Sequence, residues 1–545
     1  MSTMVAFGLT LTASACYSVG DAPEEHAHTR PDDPGAVPLY DNLGAHGHEI
    51  TTSSDDARAY FDQGLRLQFA FNHAEAIESY LVALSHDDGC AMCWWGIALA
   101  YGPNINGTMD AASGASAYEA IGEAQAHSGG TTDVEKALIQ ALAERYGADP
   151  EAARTARDSS YAGAMAVVAD RFGADDDVLT LYAAALMNLR PWDYWAGEYS
   201  DRVPNPGTER ILEVLQSALE LDDRNPGACH YYIHAVEAAY PERAEPCADR
   251  LAELMPGAGH IVHMPGHIYI RVGRYREAVT LNEHAVHSDE TYIADQNPMG
   301  VYPAAYYPHN YHFMAFAATM AGMSDKAMEA SIIVSPKIPK EVALQVAWIQ
   351  NAIVFPHLTG VTFGRWDEVL GLAMPDPDLH QATGLAHYAR GVALAATGDP
   401  DGANRELRAL RAVIADTDPD GENPVLAIAL HALMGEIGLR AGDAARAITH
   451  FGAATELEDA MTYDEPPLWY YPMRHSLGQA LLVAGRAAEA EQTYRHDLAR
   501  FPANGWSLFG LARSLEAQGK DATTTRAQFE DAWRDADVVL TGSRF

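Results

Sequence analysis

At 545 residues the chain far exceeds a single-core domain, and its 48% hydrophobic residues suffice for burial. Thirty-six basic against 75 acidic residues leave a formal charge of -39, a repulsive surface that argues against nucleic acid and anionic membranes as partners and is compatible with a cationic peptide or a metal ion. No serine elbow, phosphate-cradling glycine loop or dinucleotide fingerprint occurs, so hydrolase, kinase and dehydrogenase readings have no support.

In chain order, Met4 to Ala15 is a short apolar run that ends "ASAC" at Cys16. It resembles the cleavage and lipidation box of bacterial lipoproteins, although the basic start of such signals is missing. Residues 1–50 are therefore expected to be an export signal and a flexible tether, with a candidate lipid anchor at Cys16 and a periplasmic or cell-surface location. No run reaches eighteen apolar residues, which argues against a spanning helix. Cys90 and Cys93 form a CxxC at a loop-to-helix start, read as a disulfide or an incidental pair. Cys229 and Cys247 are a second candidate pair, on helices either side of the turn at Pro241.

A register then repeats. Tyr60, Gly64, Leu67, Ala76, Tyr80 and Ala83 make an early copy, followed by Gly96 and Leu99 with Trp94 and Trp95. Val262, Gly266, Tyr269, Gly273, Ala278 and Ala285 make a central one, and Gly435, Gly442, Ala447 and Phe451 another. Arg474, Leu477, Gly478, Leu481, Ala490, Tyr494 and Pro502 fit a 34-residue helix-turn-helix unit closely, with Trp506, Phe509, Gly510 and Ala522 opening the next. Small residues at these places let paired helices approach, and the large ones fill between them. Strand signals are scarce. The predicted divisions are 51–224, helical repeats with an irregular stretch from Gly102 to Arg224; 225–380, central His-rich repeats; and 381–545, C-terminal repeats.

With the blocks "FDQGLRLQFAFNHAEAIESY", "HIVHMPGHIYIRVGRYREA", "YYPHNYHF" and "EPPLWYYPMRHSLGQALLVAGR", the chain resembles bacterial tetratricopeptide-repeat proteins of a long, divergent, His-rich type, over roughly Thr51 to Gly519. The resemblance implies an all-α, tetratricopeptide-like right-handed superhelical solenoid whose groove binds peptides or partner proteins. It carries over no catalytic residues.

Histidines sit at fixed places in the register. Fifteen positions before Ala278, Ala327 and Ala490 stand His263, His312 and His475, and the turn ending at Ala403 puts Tyr388 there. His260 and His309 stand eighteen before. His260, His263 and His267 follow i, i+3, i+7 spacing on one side of a helix, qualified by Pro265, which lacks a backbone donor. His230, His234 and Glu237 share a face of the helix before. Taken singly, each histidine reads as a hydrogen-bonded core residue. Taken together, His230, His234, Glu237, His260, His263, His267, His309 and His312 are a candidate set for zinc, iron or copper, because so many titratable groups are costly to bury without a purpose. Tyr269, Tyr307 and Tyr388 offer hydroxyls or ring faces to a ligand, and Arg474 beside His475 offers a scarce positive charge. Glu465 and Trp469 precede these in the loop "YDEPPLWYYP".

Two functions follow. The leading one is an exported repeat protein that holds a peptide, protein or small ligand in a His-lined groove with a transition metal. The alternative is a metal-dependent enzyme acting on a small molecule, with Glu237 moving a proton.

Overall fold

The computed structural model describes residues 37–149, 153–197, 202–298, 300, 302–418 and 420–545. The expected signal and the Cys16 anchor lie outside them. The described chain is all-α apart from one two-residue antiparallel pairing, Trp195–Ala196 with Val203–Pro204, and an isolated bridge between Asn104 and Gly107. Consecutive helices pack on one another, a solenoid-like order in which each element buries its apolar face against its sequence neighbours. Two units divide the chain.

The first unit runs up to Gly197 and includes Arg202–Val236 and Glu253–Ala258. Its helices are Asp55–Phe69, His73–His86, Ala91–Tyr101, Ala111–His127, Asp133–Ala143, Arg154–Phe172, Asp176–Met187, Thr208–Leu221 and Pro226–Val236, each against the next. The stretch read as irregular is thus largely helical. Local chemistry explains the starts: Ser54 accepts from the Ala57 N–H, and Thr132 and Glu135 form a reciprocal capping box. Cys90 caps Ala91–Tyr101 and is disulfide-bonded to Cys93, while Cys229 and Cys247 are buried thiols. Residues 37–50, expected as the end of a tether, are packed instead. Leu43 and Ile50 are buried, Tyr40 Oη donates to Glu75 at 2.9 Å, and the Thr51 N–H donates to Glu135 at 2.6 Å.

The second unit comprises Glu237–Ala252 and Gly259–Phe545. Its helices run from Gly259–His263 and Pro265–Val272 through Tyr275–Gln296, Tyr307–Ala321 and Ser324–Val334 to Thr523–Ala532. No strand occurs among its described residues. The repeat register has a visible cause in both units. A Cβ on Gly64 or Gly96 would stand 2.4 or 2.6 Å from the Tyr80 ring, and one on Gly478 or Gly510 would stand 2.3 or 2.2 Å from Tyr494. The same device thus appears twice: a tyrosine ring lies between two glycines of flanking helices, where any side chain would collide. Gly273 ends Pro265–Val272 at φ 85, a left-handed cap that lets the Arg274 N–H reach Tyr269 O at 2.8 Å.

Candidate metal centre

Gly259–His263 and Pro265–Val272 are one helical path broken at Pro265. Proline has no N–H for the carbonyl four residues back, so the path tightens, with the His267 N–H on Met264 O at 3.1 Å. The break leaves His263 and His267 four residues apart on one side, both buried.

The acceptors around the two rings set their tautomers. His263 Nδ1 lies 2.7 Å from Asn282 Oδ1, and Asn282 Nδ2 donates to Ala278 O at 2.7 Å, so the amide oxygen is the atom turned to the imidazole. His263 therefore donates from Nδ1. His267 likewise donates from Nδ1 to the Glu237 carboxylate, at 2.6 Å to Oε2. With both protons held on the outer nitrogens, the inner nitrogens face each other, Nε2 to Nε2 at 3.0 Å. Two lone pairs at that distance repel unless a positive charge lies between them. A transition metal with bonds of about 2.0–2.1 Å to imidazole holds neighbouring nitrogens roughly 3 Å apart, so the pair fits one ion.

His309, from Tyr307–Ala321, supplies a third nitrogen. Ligand atoms of His263, His267 and His309 lie within 4.8 Å of one another. Phe313 packs on all three rings at centroid distances of 4.5, 4.4 and 4.9 Å and keeps that side apolar. The cluster is geometrically suited to a transition-metal ion.

Behind Glu237 lies a chain of polar groups from a distant loop. Tyr463 Oη is 3.4 Å from Glu237 Oε2 and donates to Glu465 Oε1 at 2.5 Å. Arg271, buried one turn beyond His267, stands 3.6 Å from that Glu465 oxygen, with its guanidinium over the Tyr463 ring at 5.2 Å. Burial pushes the Glu465 carboxyl up to about 7, against the pull of Arg271.

The other predicted residues are placed as follows. His260 is buried, its ring 6.0 Å from that of His263 and 4.5 Å from Tyr306. His312 points to Phe355, with ring centroids 4.9 Å apart, and desolvation holds its pKa down at about 4. His230 and His234 belong to the first unit, where the His230 Nδ1 is 2.7 Å from Phe69 O and the His234 ring meets Trp192 edge-on. Their helix stops at Val236, so Glu237 lies beyond it rather than on its face. Tyr269 lines an open cleft of about 1030 Å³ and donates to Asp249 at 2.9 Å. Tyr307 donates to Glu290, Tyr388 is bonded to Tyr470 Oη at 2.9 Å, and His475 holds Asp497 at 3.1 Å. Arg474 is clasped two-pronged by Asp459, at 2.8 and 2.5 Å, so the positive charge expected to meet a ligand meets a carboxylate of the protein.

The sequence reading missed Asn282, Tyr463 and Arg271, as well as a second histidine pair in the first unit. There Asp177 takes His46 Nε2 at 2.9 Å and His48 Nδ1 at 3.0 Å, and Asn225 Nδ2 adds a bond at 2.9 Å. The carboxylate outweighs burial and raises both imidazoles, His48 to about 9, while the two rings hold Asp177 well below the usual carboxylate range.

No family model matches the chain, and no curated protein matches it. Solved helical proteins resemble it. The crystal structure of the APC/C hetero-tetramer Cut9-Hcn1 is 14% identical over 87% of this chain and 76% of that one, with a TM-score of 0.30. The human IFIT1 dimer with m7Gppp-AAAA is 12% identical over 90% and 92%, with a TM-score of 0.30. The structure of Naa15/Naa10 bound to HypK-THB is 13% identical over 87% and 70%, at 0.22. These values describe a weakly matched, helix-rich fold and assign no ligand to this chain. One expectation is corrected, the exclusion of nucleic acid from net charge. One of these weakly similar structures carries m7Gppp-AAAA; that is a fact about that protein alone, but net charge sums the whole surface, whereas a nucleic acid is held by a local set of donors, so the exclusion does not stand.

Proposed function

We propose that the protein is an exported tetratricopeptide-type repeat protein that holds a transition-metal ion on His263, His267 and His309 and takes a peptide, protein or small ligand beside it. The observation that carries the metal is the facing pair of imidazole nitrogens, 3.0 Å apart, with both outer nitrogens already spent on Asn282 and Glu237. A carboxylate behind a ligating histidine, as Glu237 stands behind His267, is the usual outer support of such a ligand. The Cys90–Cys93 disulfide favours an oxidising compartment, in keeping with export. No described helix is long and apolar enough to cross a membrane.

A second reading, a metal-dependent enzyme, is favoured by one feature. Three protein ligands leave coordination positions open, the pattern of catalytic rather than structural sites. When bound, the ion would supply Lewis acidity or an activated water, with the three imidazoles holding it and Glu237 and Asn282 fixing their orientation.

The test is elemental analysis of full-length protein purified without added metal or an affinity tag, followed by titration with Co²⁺. About one ion per chain, lost in His263→Ala, is the expected result. Negligible metal together with failed reconstitution rejects the site.

A further inference from the structure

We propose that Tyr463 and Glu465 are positioning residues of this site, acting through Glu237 on His267; the inference rests on the metal reading above. Glu237 and Glu465 come from segments more than two hundred residues apart, yet one phenol stands between them. Tyr463 Oη is 2.5 Å from Glu465 Oε1 and 3.4 Å from Glu237 Oε2. A phenol has one proton to give, and the distances assign it to Glu465.

That choice matters for the metal ligand. With Glu465 satisfied by Tyr463 and faced by Arg271, Glu237 keeps its charge turned to His267 Nδ1 at 2.6 Å. The bond fixes the ring so that Nε2 points at Nε2 of His263. At alkaline pH, where Glu465 holds no proton, removing only the hydroxyl leaves two carboxylates facing each other in a buried setting, where like charges repel strongly. Their repulsion displaces Glu237 from His267. The loop carrying Tyr463 thus belongs to the outer wall of the site, although nothing in it ligates.

This predicts a specific pattern in Co²⁺ titrations of the full chain at alkaline pH, above the range in which Glu465 takes up a proton, followed by absorption. Tyr463→Phe keeps the ring against Arg271 and lowers Co²⁺ affinity about tenfold, the size expected for losing an outer partner of a metal ligand. Glu465→Gln alone has little effect. The double variant Tyr463→Phe/Glu465→Gln regains wild-type affinity, because the repelling charge is gone. A merely structural tyrosine shows no such rescue, so a double variant as weak as Tyr463→Phe overturns the proposal. So does a Tyr463→Phe that binds Co²⁺ as the wild type does, which leaves the metal site itself standing. A wild type that takes no Co²⁺ removes the metal reading and this inference with it. Circular-dichroism melts are expected to show Tyr463→Phe lowered and the double variant restored towards the wild type, and a Tyr463→Phe that melts lower and is not restored by Glu465→Gln counts against the proposal.

Discussion

Each unit holds a pair of histidines beside a buried carboxylate, half-buried rings in the first unit and buried ones in the second, and the two pairs end in opposite states. In the first unit Asp177 lies between His46 and His48 and accepts from both, so each ring keeps a proton and the three groups form a closed clamp. In the second unit the acceptors lie outside the pair, Asn282 behind His263 and Glu237 behind His267, and the inner nitrogens are left facing each other. The number of histidines is the same. What differs is the side on which the acceptor stands, and that decides whether a pair stores protons or presents lone pairs to a metal.

The largest effect should separate the pairs by metal binding. His263→Ala is expected to abolish tight binding and the thermal stabilisation that goes with it, about 2.7 kcal/mol when the ion is at a hundred times its Kd, while His48→Ala leaves both intact. Melts with chelator and with added metal measure this. If His263→Ala destabilised equally in both conditions and kept its metal affinity, His263 would be only a polar strut, worth on the order of 1–3 kcal/mol.

Asp177→Ala attacks the other pair. It strands two half-buried imidazoles and should destabilise the first unit by about 2 kcal/mol, less than breaking a fully buried pair from one side does. Urea unfolding reads the loss, and metal stoichiometry should stay unchanged. A loss of metal in this variant would mean that the pairs are not independent.

Asn282→Ala should act more gently, weakening metal affinity about tenfold by freeing the His263 tautomer. Equal affinity in this variant and the wild type would show that the amide does not choose the tautomer.

The smallest effect is on pH dependence. The folded pKa of His48 is raised from 6.5 to about 9, so its contribution is complete below pH 6.5 and is lost as pH rises through about 9. Asp177 is depressed, so its contribution is present above the ordinary carboxylate range and is lost as pH falls. Denaturant midpoints from pH 5 to 10 should therefore fall on the alkaline side in the wild type and not in Asp177→Ala. The same alkaline fall in both would break the clamp.

Much of the fold was legible because its cause is local. The glycines at 64, 96, 478 and 510 and the tyrosines at 80 and 494 recur at set spacings, and the structure shows those rings pinched between those glycines. The site was legible only in part. His263, His267 and His309 could be named because imidazoles are costly to bury and their spacing places them on helix faces. His312 shares the register of His263 and faces Phe355 instead, since register places a residue on a helix but does not choose what packs against it. Asn282 and Tyr463 carried no signal, because an amide or a phenol becomes a site residue only through the atom it meets. His46 and His48 lay in a stretch read as signal and tether, where nothing local announced their two contacts with Asp177.

The sequence by itself determined an all-helical chain, its repeat register and the spacing of its imidazoles, because glycine punctuation and periodicity act over a few residues. Only the tertiary structure decided the chemistry. Whether an imidazole donates or presents a lone pair depends on the acceptor beyond it, and those acceptors, Glu237, Asn282 and Asp177, come from other segments of the chain. Asp177 lies well over a hundred residues from the rings it serves.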